Sequence, residues 1–448
     1  VTGVVDALGN YTETYYHQHV GCIAKPEVTY FRDSAGRIWS YSSYGYAENA
    51  APPYTSLLTD RWDFECDLGT TCQRVVSQLA YDTYGNAIET REWGNYDASG
   101  DERTTVRGYY PNTTAYVVAA PAYEQVYAGI GTAGRMLKRE VRWYDGATAD
   151  TTPPSRGDVT TRRYWNDQTG TYVSEALAYD AWGNLIRETD RRGNARTTEY
   201  DATYHRFPTR RCDALGRCRT TSYDAVVGQA TAETDPDGRT TTRTWDAFGR
   251  AVRETRPDGG WVERQYLGWG SPTSQRLRTI TSDGSADGLW EDEYFDGLER
   301  AYQWVREGGA TRLREYFQGT RRPWKESGWY APGTETPRYT TKTYDGAGRL
   351  ITVANPDGTT ADVAYAICWN AADADFAAPR ACSTVYDELD HAVRRATDGL
   401  GQVIVTSEWN AGVEQRTRHG RDPLGRLISI RDAAGNTGTR TWSSLGHK

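Results

Sequence analysis

Polar residues alternate with β-branched or aromatic ones along this chain in short runs, and each run is stopped by the same punctuation. In Arg239-Thr240-Thr241-Thr242-Arg243-Thr244-Trp245, Thr241, Arg243 and Trp245 fall on one side of an extended chain, and Thr240, Thr242 and Thr244 on the other. The run lacks helix caps and is rich in residues that suit a pleated surface, so it predicts a β-strand. The punctuation is Asp-x-x-Gly, at Asp180 to Gly183, Asp190 to Gly193, Asp213 to Gly216, Asp235 to Gly238 and Asp246 to Gly249, with a variant at Arg256 to Gly259. Asp at the first position of a type I turn accepts from the backbone N–H groups ahead of it. Gly at the fourth supplies the left-handed conformation that closes a hairpin with a bulge. In Asp235-Pro236-Asp237-Gly238 the proline ring also presets φ at the second position. Neighbouring turns lie 10 or 11 residues apart, which leaves roughly 20 Å of strand between them. The turns must then alternate between the two edges of one long ribbon.

The repeat divides the chain into four stretches. Residues 1–165 carry the unit in eroded form, at Asp6 to Gly9, Asp33 to Gly36, Asp82 to Gly85 and Asp97 to Gly100, with surface loops expected around Pro52-Pro53 and Pro153-Pro154. Residues 166–260 are regular. Residues 261–340 form an aromatic-rich, irregular β segment with one degenerate unit, Phe295 to Arg300. Residues 341–448 are regular again, at Asp345 to Gly348, Asp398 to Gly401, Asp422 to Gly425 and Asp432 to Gly435. They stop on the turn of another unit, Ser443 to Lys448, so the array is expected to be truncated there. A fixed-period repeat predicts one continuous array in place of the roughly three globular domains usual for this length.

Composition sharpens this picture. The chain has 32 Tyr and 16 Trp against 7 Phe, and a single Met. Tyr and Trp join an apolar body to a polar edge, which suits a surface packed on one side and wet on the other. Neither strand face is a continuous apolar stripe, so the ribbon cannot collapse into a sandwich; it must wind, leaving a wet interior. The net charge of −8, with 52 basic residues interleaved among 60 acidic ones, argues against a nucleic-acid partner and predicts cross-strand ion pairs. No apolar run approaches the ~18 residues of a membrane helix.

Six of the seven cysteines fall into pairs. Cys66 and Cys72 flank one turn and Cys212 and Cys218 another, at the same spacing, where a hairpin places them opposite each other. Both pairs are expected to be cross-strand disulfides, and Cys368 and Cys382 a third, bridging the loop between them. Cys22 is left to pair outside this segment or to stay free. The two close pairs lack the CxxC spacing of a zinc site. Disulfides imply an oxidising compartment, hence a secreted or cell-surface protein.

The unit Tyr-Asp-x-x-Gly-[Arg/Asn]-Leu, in forms such as YDAWGNLIRETD, YDGAGRLITVANPDG and WDAFGRAVRETRPDG, resembles the YD repeat of the Rhs family. That family includes bacterial Rhs polymorphic toxins, the B and C components of Tc insecticidal toxins, and the animal teneurins. The resemblance is specific over 167–260 and 341–448. It implies an all-β fold, a YD/Rhs-repeat β-hairpin array coiled into a large hollow shell. In the bacterial toxins such a shell encloses a C-terminal toxic domain, and in the teneurins it belongs to an extracellular adhesion molecule. The expected role here is a non-enzymatic shell segment whose partner is an enclosed effector or toxin, or other shell segments. The alternative is an extracellular adhesion or carbohydrate-binding module that meets cell-surface glycans. An autoprotease or glycosidase ranks last, because nothing after Asp432 resembles the aspartyl-type autoproteolytic end of Rhs toxin shells.

No residue is assigned a catalytic, cofactor-binding or metal-binding role, and no cofactor is expected. Asp235 and Asp237 invite a glycosidase reading, but the turn already accounts for both. His17-Gln18-His19 puts two imidazoles on one strand face without an evident third ligand. Trp261, Trp269, Trp324, Trp329 and Tyr330 are a candidate glycan platform, although cross-strand packing of aromatics accounts for them better. Asn10-Tyr11-Thr12 and Asn112-Thr113-Thr114 match glycosylation sequons.

Overall fold

A computed structural model describes residues 2–6, 9–19, 21–49, 51, 54–317 and 320–446. Pro52, Pro53, His447 and Lys448 lie outside the described residues. Among those described, every helix or strand is a strand, 34 in all from Thr2–Val5 to Thr437–Thr439. No helix is long and apolar enough to cross a membrane.

The pairing follows the sequence. Thr240–Trp245 pairs antiparallel with Gln229–Thr234 on one side and Ala251–Thr255 on the other. The same neighbour-to-neighbour ladder runs from Pro26–Arg32 through Ile38–Asn49 and Thr55–Glu65 to Gln73–Tyr81. Along Thr240–Trp245 exposed and half-buried residues alternate, so the wet and packed faces are those of the sequence pattern. Opposite charges face each other across the rungs, as in Arg243 with Glu254 and Arg278 with Asp292.

A one-residue slip recurs at the aromatic before the turn aspartate, between Ala178 and Tyr179, Glu199 and Tyr200, Ser222 and Tyr223, and Thr244 and Trp245. The bulge bends the strand where it enters the turn and re-aims the aromatic side chain.

The chain resolves into two compact units. One comprises residues 1–174, 344–352 and 360–448, and the other 175–343 and 353–359. In the first, Phe376, Cys382, Ala396 and Val405 form a small buried cluster. Its proline-bearing loop at 149–158 folds around Asp145, whose carboxylate accepts the backbone N–H groups of Ser155, Arg156, Gly157 and Asp158.

Candidate functional site

The recurring chemical feature of the chain is the turn. At Asp246 the backbone N–H donates to the Arg250 carbonyl, and the Gly249 N–H returns to the Asp246 carbonyl, each at 3.0 Å. Oδ1 of Asp246 accepts the N–H groups of Phe248 and Arg250 at 2.9 Å, and Oδ2 accepts Arg250 Nε at 2.7 Å. Asn184 and Asn194 fill the arginine's place on Asp180 and Asp190 through their side-chain amides. These bonds favour the ionised carboxylate. The Arg250 N–H beside Asp246, and the side chains of Asn194 and Arg217 beside Asp190 and Asp213, hold the three carboxyls below their ordinary range.

A second device ties each unit to the next. The arginine held by the turn aspartate lies over an aromatic ring sixteen residues on: Arg250 over Tyr266 at 4.0 Å, Arg300 over Tyr316 at 4.8 Å, Arg349 over Tyr365 at 4.3 Å and Arg426 over Trp442 at 5.7 Å. Aromatics ahead of the turns also donate through their polar edge to a carbonyl fifteen residues back, and Tyr316 and Trp442 make both contacts. Tyr223 Oη reaches Pro208 O at 3.2 Å, Trp245 Nε1 reaches Ala230 O at 2.9 Å, Tyr316 Oη reaches Ala301 O at 2.7 Å, and Trp442 Nε1 reaches Leu427 O at 2.8 Å. Phenylalanine has no such donor. Sequence reasoning missed this clasp; its signal is the fixed offset from the Asp-x-x-Gly-Arg arginine to the aromatic sixteen places later.

Within the first unit, C-terminal turns dock on N-terminal strands and turns. Asn10 Nδ2 donates to Gly346 O at 2.5 Å, Arg349 pairs with Asp67 at 2.5 Å, and Asn95 Nδ2 donates to Pro379 O at 2.7 Å. The Gly399 N–H donates to Asp101 Oδ2 at 3.1 Å, and Ser444 N–H to Asp167 Oδ1 at 2.8 Å. The approach is backbone to backbone: a methyl on Gly399 would stand 2.0 Å from the Asn95 nitrogen. Burial pushes the carboxyls of Asp101 and Asp398 up, while it holds the nearby Arg380 guanidinium below its usual value.

The cysteine pairs meet. Sγ atoms are 2.06 Å apart in Cys66–Cys72, 2.02 Å in Cys212–Cys218 and 2.19 Å in Cys368–Cys382, and Cys22 is a buried free thiol. The five platform aromatics are dispersed. Arg253 caps Trp261 at 4.3 Å, Lys325 lies by Trp324 at 5.6 Å and Arg306 caps Trp329 at 3.8 Å. Trp269 meets Tyr266 and Phe295, each at 5.9 Å. Trp329 and Tyr330 border an open cleft of about 590 Å³, but among the described residues no ring contact joins two of the five. Asp235 Oδ1 accepts the Asp237 N–H, so both belong to one turn. Asn10 is 3% exposed, which closes its sequon to modification in the folded chain. His17 and His19 stand in the loop after strand Tyr11–Tyr16, off the strand where the sequence placed them, with ring centroids 5.1 Å apart.

Comparison with known proteins bears on this architecture. A family model described as RHS Repeat matches residues 179–206 and 226–260. No curated protein matches the sequence significantly. Among solved structures, the crystal structure of TcdB2-TccC3 is similar over 92% of this chain and 29% of that one, at 12% identity and a TM-score of 0.71. The Photorhabdus luminescens Tc holotoxin pore is similar over 95% of this chain and 32% of that one, at 10% identity and a TM-score of 0.72. The chain thus spans about a third of the length of the proteins whose fold it shares.

Proposed function

We propose that the chain, which matches the RHS repeat over residues 179–206 and 226–260, is a wall segment of a β-shell enclosing a toxin or effector of a secreted bacterial protein. The observation that carries this reading is the fold likeness to the Tc-toxin chains along almost the whole of this one. Its physical basis is the ladder itself. Strands with hydrogen-bonded neighbours on both sides offer proteases no extended backbone to bind, and they leave few edges for aggregation. The role is mechanical. Regular repeat aspartates such as Asp180 and Asp246 are engaged in turns, where each accepts two backbone N–H groups.

Limited proteolysis of the full-length native polypeptide tests enclosure. The enclosed segment is expected to survive until the shell is denatured and then to be cleaved at once. Cleavage of that segment as fast as a free tail would overturn the reading. The second reading is an extracellular adhesion module, favoured by one observation: three disulfides, which suit an oxidising compartment and add little to a cage assembled in a reducing cytosol. Binding to cells by a chain that encloses nothing would support it.

A further inference from the structure

The loop between strands Tyr11–Tyr16 and Pro26–Arg32 closes tightly. The His17 N–H donates to Lys25 O at 2.9 Å and the Cys22 N–H to His19 O at 3.1 Å. This closure brings the His19 imidazole and the Cys22 thiol to Glu48, near the end of strand Ile38–Asn49. One ligand atom from each of the three lies within 4.8 Å of the others, and His19 Nδ1 stands 2.9 Å from Glu48 Oε2. Gly21 makes the approach possible, since a methyl there would lie 2.5 Å from that same oxygen.

Two further observations single the cluster out. Cys22 is 2% exposed, lies 3.3 Å from Ser56 Oγ, and stays out of the disulfides that take the other six cysteines. His17, beside His19, has a buried Nε2 with no hydrogen-bond partner. A thiol, an imidazole and a carboxylate together form the mixed S/N/O donor set that suits a borderline divalent ion.

We propose that His19, Cys22 and Glu48 bind one Zn2+, with His17 or a water completing the tetrahedron. Bonds of ~2.0 to 2.3 Å place tetrahedral ligand atoms about 3.5 Å apart, so His19 Nδ1 and Glu48 Oε2, at 2.9 Å, part slightly to admit the ion. The ion takes the place of the hydrogen between His19 Nδ1 and Glu48 Oε2, and the ring proton moves to Nε2 of His19. Cys22 binds as the thiolate and its proton leaves to solvent. Ligation fastens the loop to strand Ile38–Asn49 and keeps the seventh thiol from oxidation.

The test uses the whole chain, stripped with a chelator, equilibrated with Zn2+ at micromolar free concentration and desalted. Elemental analysis is expected to find about one zinc per chain. Co2+ in its place is expected to give a thiolate-to-metal charge-transfer band that Cys22→Ser abolishes. His19→Ala and Glu48→Gln are expected to weaken binding by more than the roughly 10- to 100-fold typical of losing an outer-shell partner. Wild-type protein that retains no more zinc than Cys22→Ser, or that lacks the cobalt band, overturns the site. So does Cys22 recovered in a mixed disulfide. The wild-type zinc content and cobalt spectrum decide the matter even where a variant misfolds.

Discussion

The left-handed position of the turn separates backbone from side-chain effects. Gly183 has φ +85°, and a methyl there would touch nothing. Gly183→Ala therefore tests the backbone alone and is expected to cost about 1–2 kcal/mol in thermal or denaturant unfolding. Two turns of the same geometry hold an L-residue at this place: Glu299 at φ 58° after Asp296, and Asp390 at φ 61° after Asp387. In both the hydrogen bonds of the glycine-bearing turns are kept. Glu299→Gly is expected to stabilise by up to about 1 kcal/mol, net of the entropy glycine adds to the unfolded chain. A lower unfolding midpoint in that variant would contradict the account. The Asp-x-x-Gly turns are legible in the sequence because four adjacent letters contain their whole cause. The turn at Asp387–His391 is not, because His391 takes the place of Asn or Arg at the carboxylate and no glycine marks the bend.

At the scale of the hairpin, the disulfides and the clasp do separate work. The Cys212–Cys218 bridge closes a loop so short that the chain-entropy model gives it about 2 kcal/mol. Denaturation without reductant is expected to expose one alkylatable thiol of the seven in the chain, Cys22, and reductant the other six. The clasp joins successive units non-covalently. Tyr316→Phe keeps the ring under Arg300 but deletes the bond to Ala301 O, for an expected loss of about 1 kcal/mol. Arg300→Lys keeps the charge but loses the planar fork that both grips Asp296 and lies over the ring. If unfolding midpoints of both variants equal the parent's, the clasp contributes nothing. The cysteine pairs could be read from sequence because a hairpin sets residues either side of a turn face to face. The clasp could not, since its members are sixteen letters apart and meet only once the register of two ladders and their bulges is known.

At the largest scale, contacts within the first unit bring residues some 300 positions apart together, and two kinds of carboxylate respond to pH in opposite senses. Asp190, Asp213 and Asp246 have lowered values in the fold, so the stability they add is present above the unfolded value of about 4 and is lost as pH falls through their folded values. Asp101 and Asp398 are raised by burial. Their contribution is complete below the unfolded value and is lost as pH rises through the folded one. Asp101 Oδ2 accepts the N–H groups of Asn95 and Gly399, while its Oδ1 is buried without a partner. In Asp101→Asn the amide oxygen can still accept both N–H groups, and the charge beside Asp398 is gone. The variant is expected to unfold no more easily than the parent near neutral pH, with an advantage that shrinks as pH is lowered toward 4. Gly399→Ala is the counterpart, because its methyl would overlap the backbone of Gly94 and Asn95. It is expected to destabilise at every pH and to raise hydrogen exchange at residues 94–95 and 399–401 together. Nothing in the string Asp-Gly-Leu-Gly distinguishes this docked glycine from the free second position of other turns, so the contact was invisible until the chain folded back. Exchange that rises at 399–401 alone would mean that the C-terminal turn only rests on the N-terminal strands, and Asp101→Asn would then leave the pH profile unchanged.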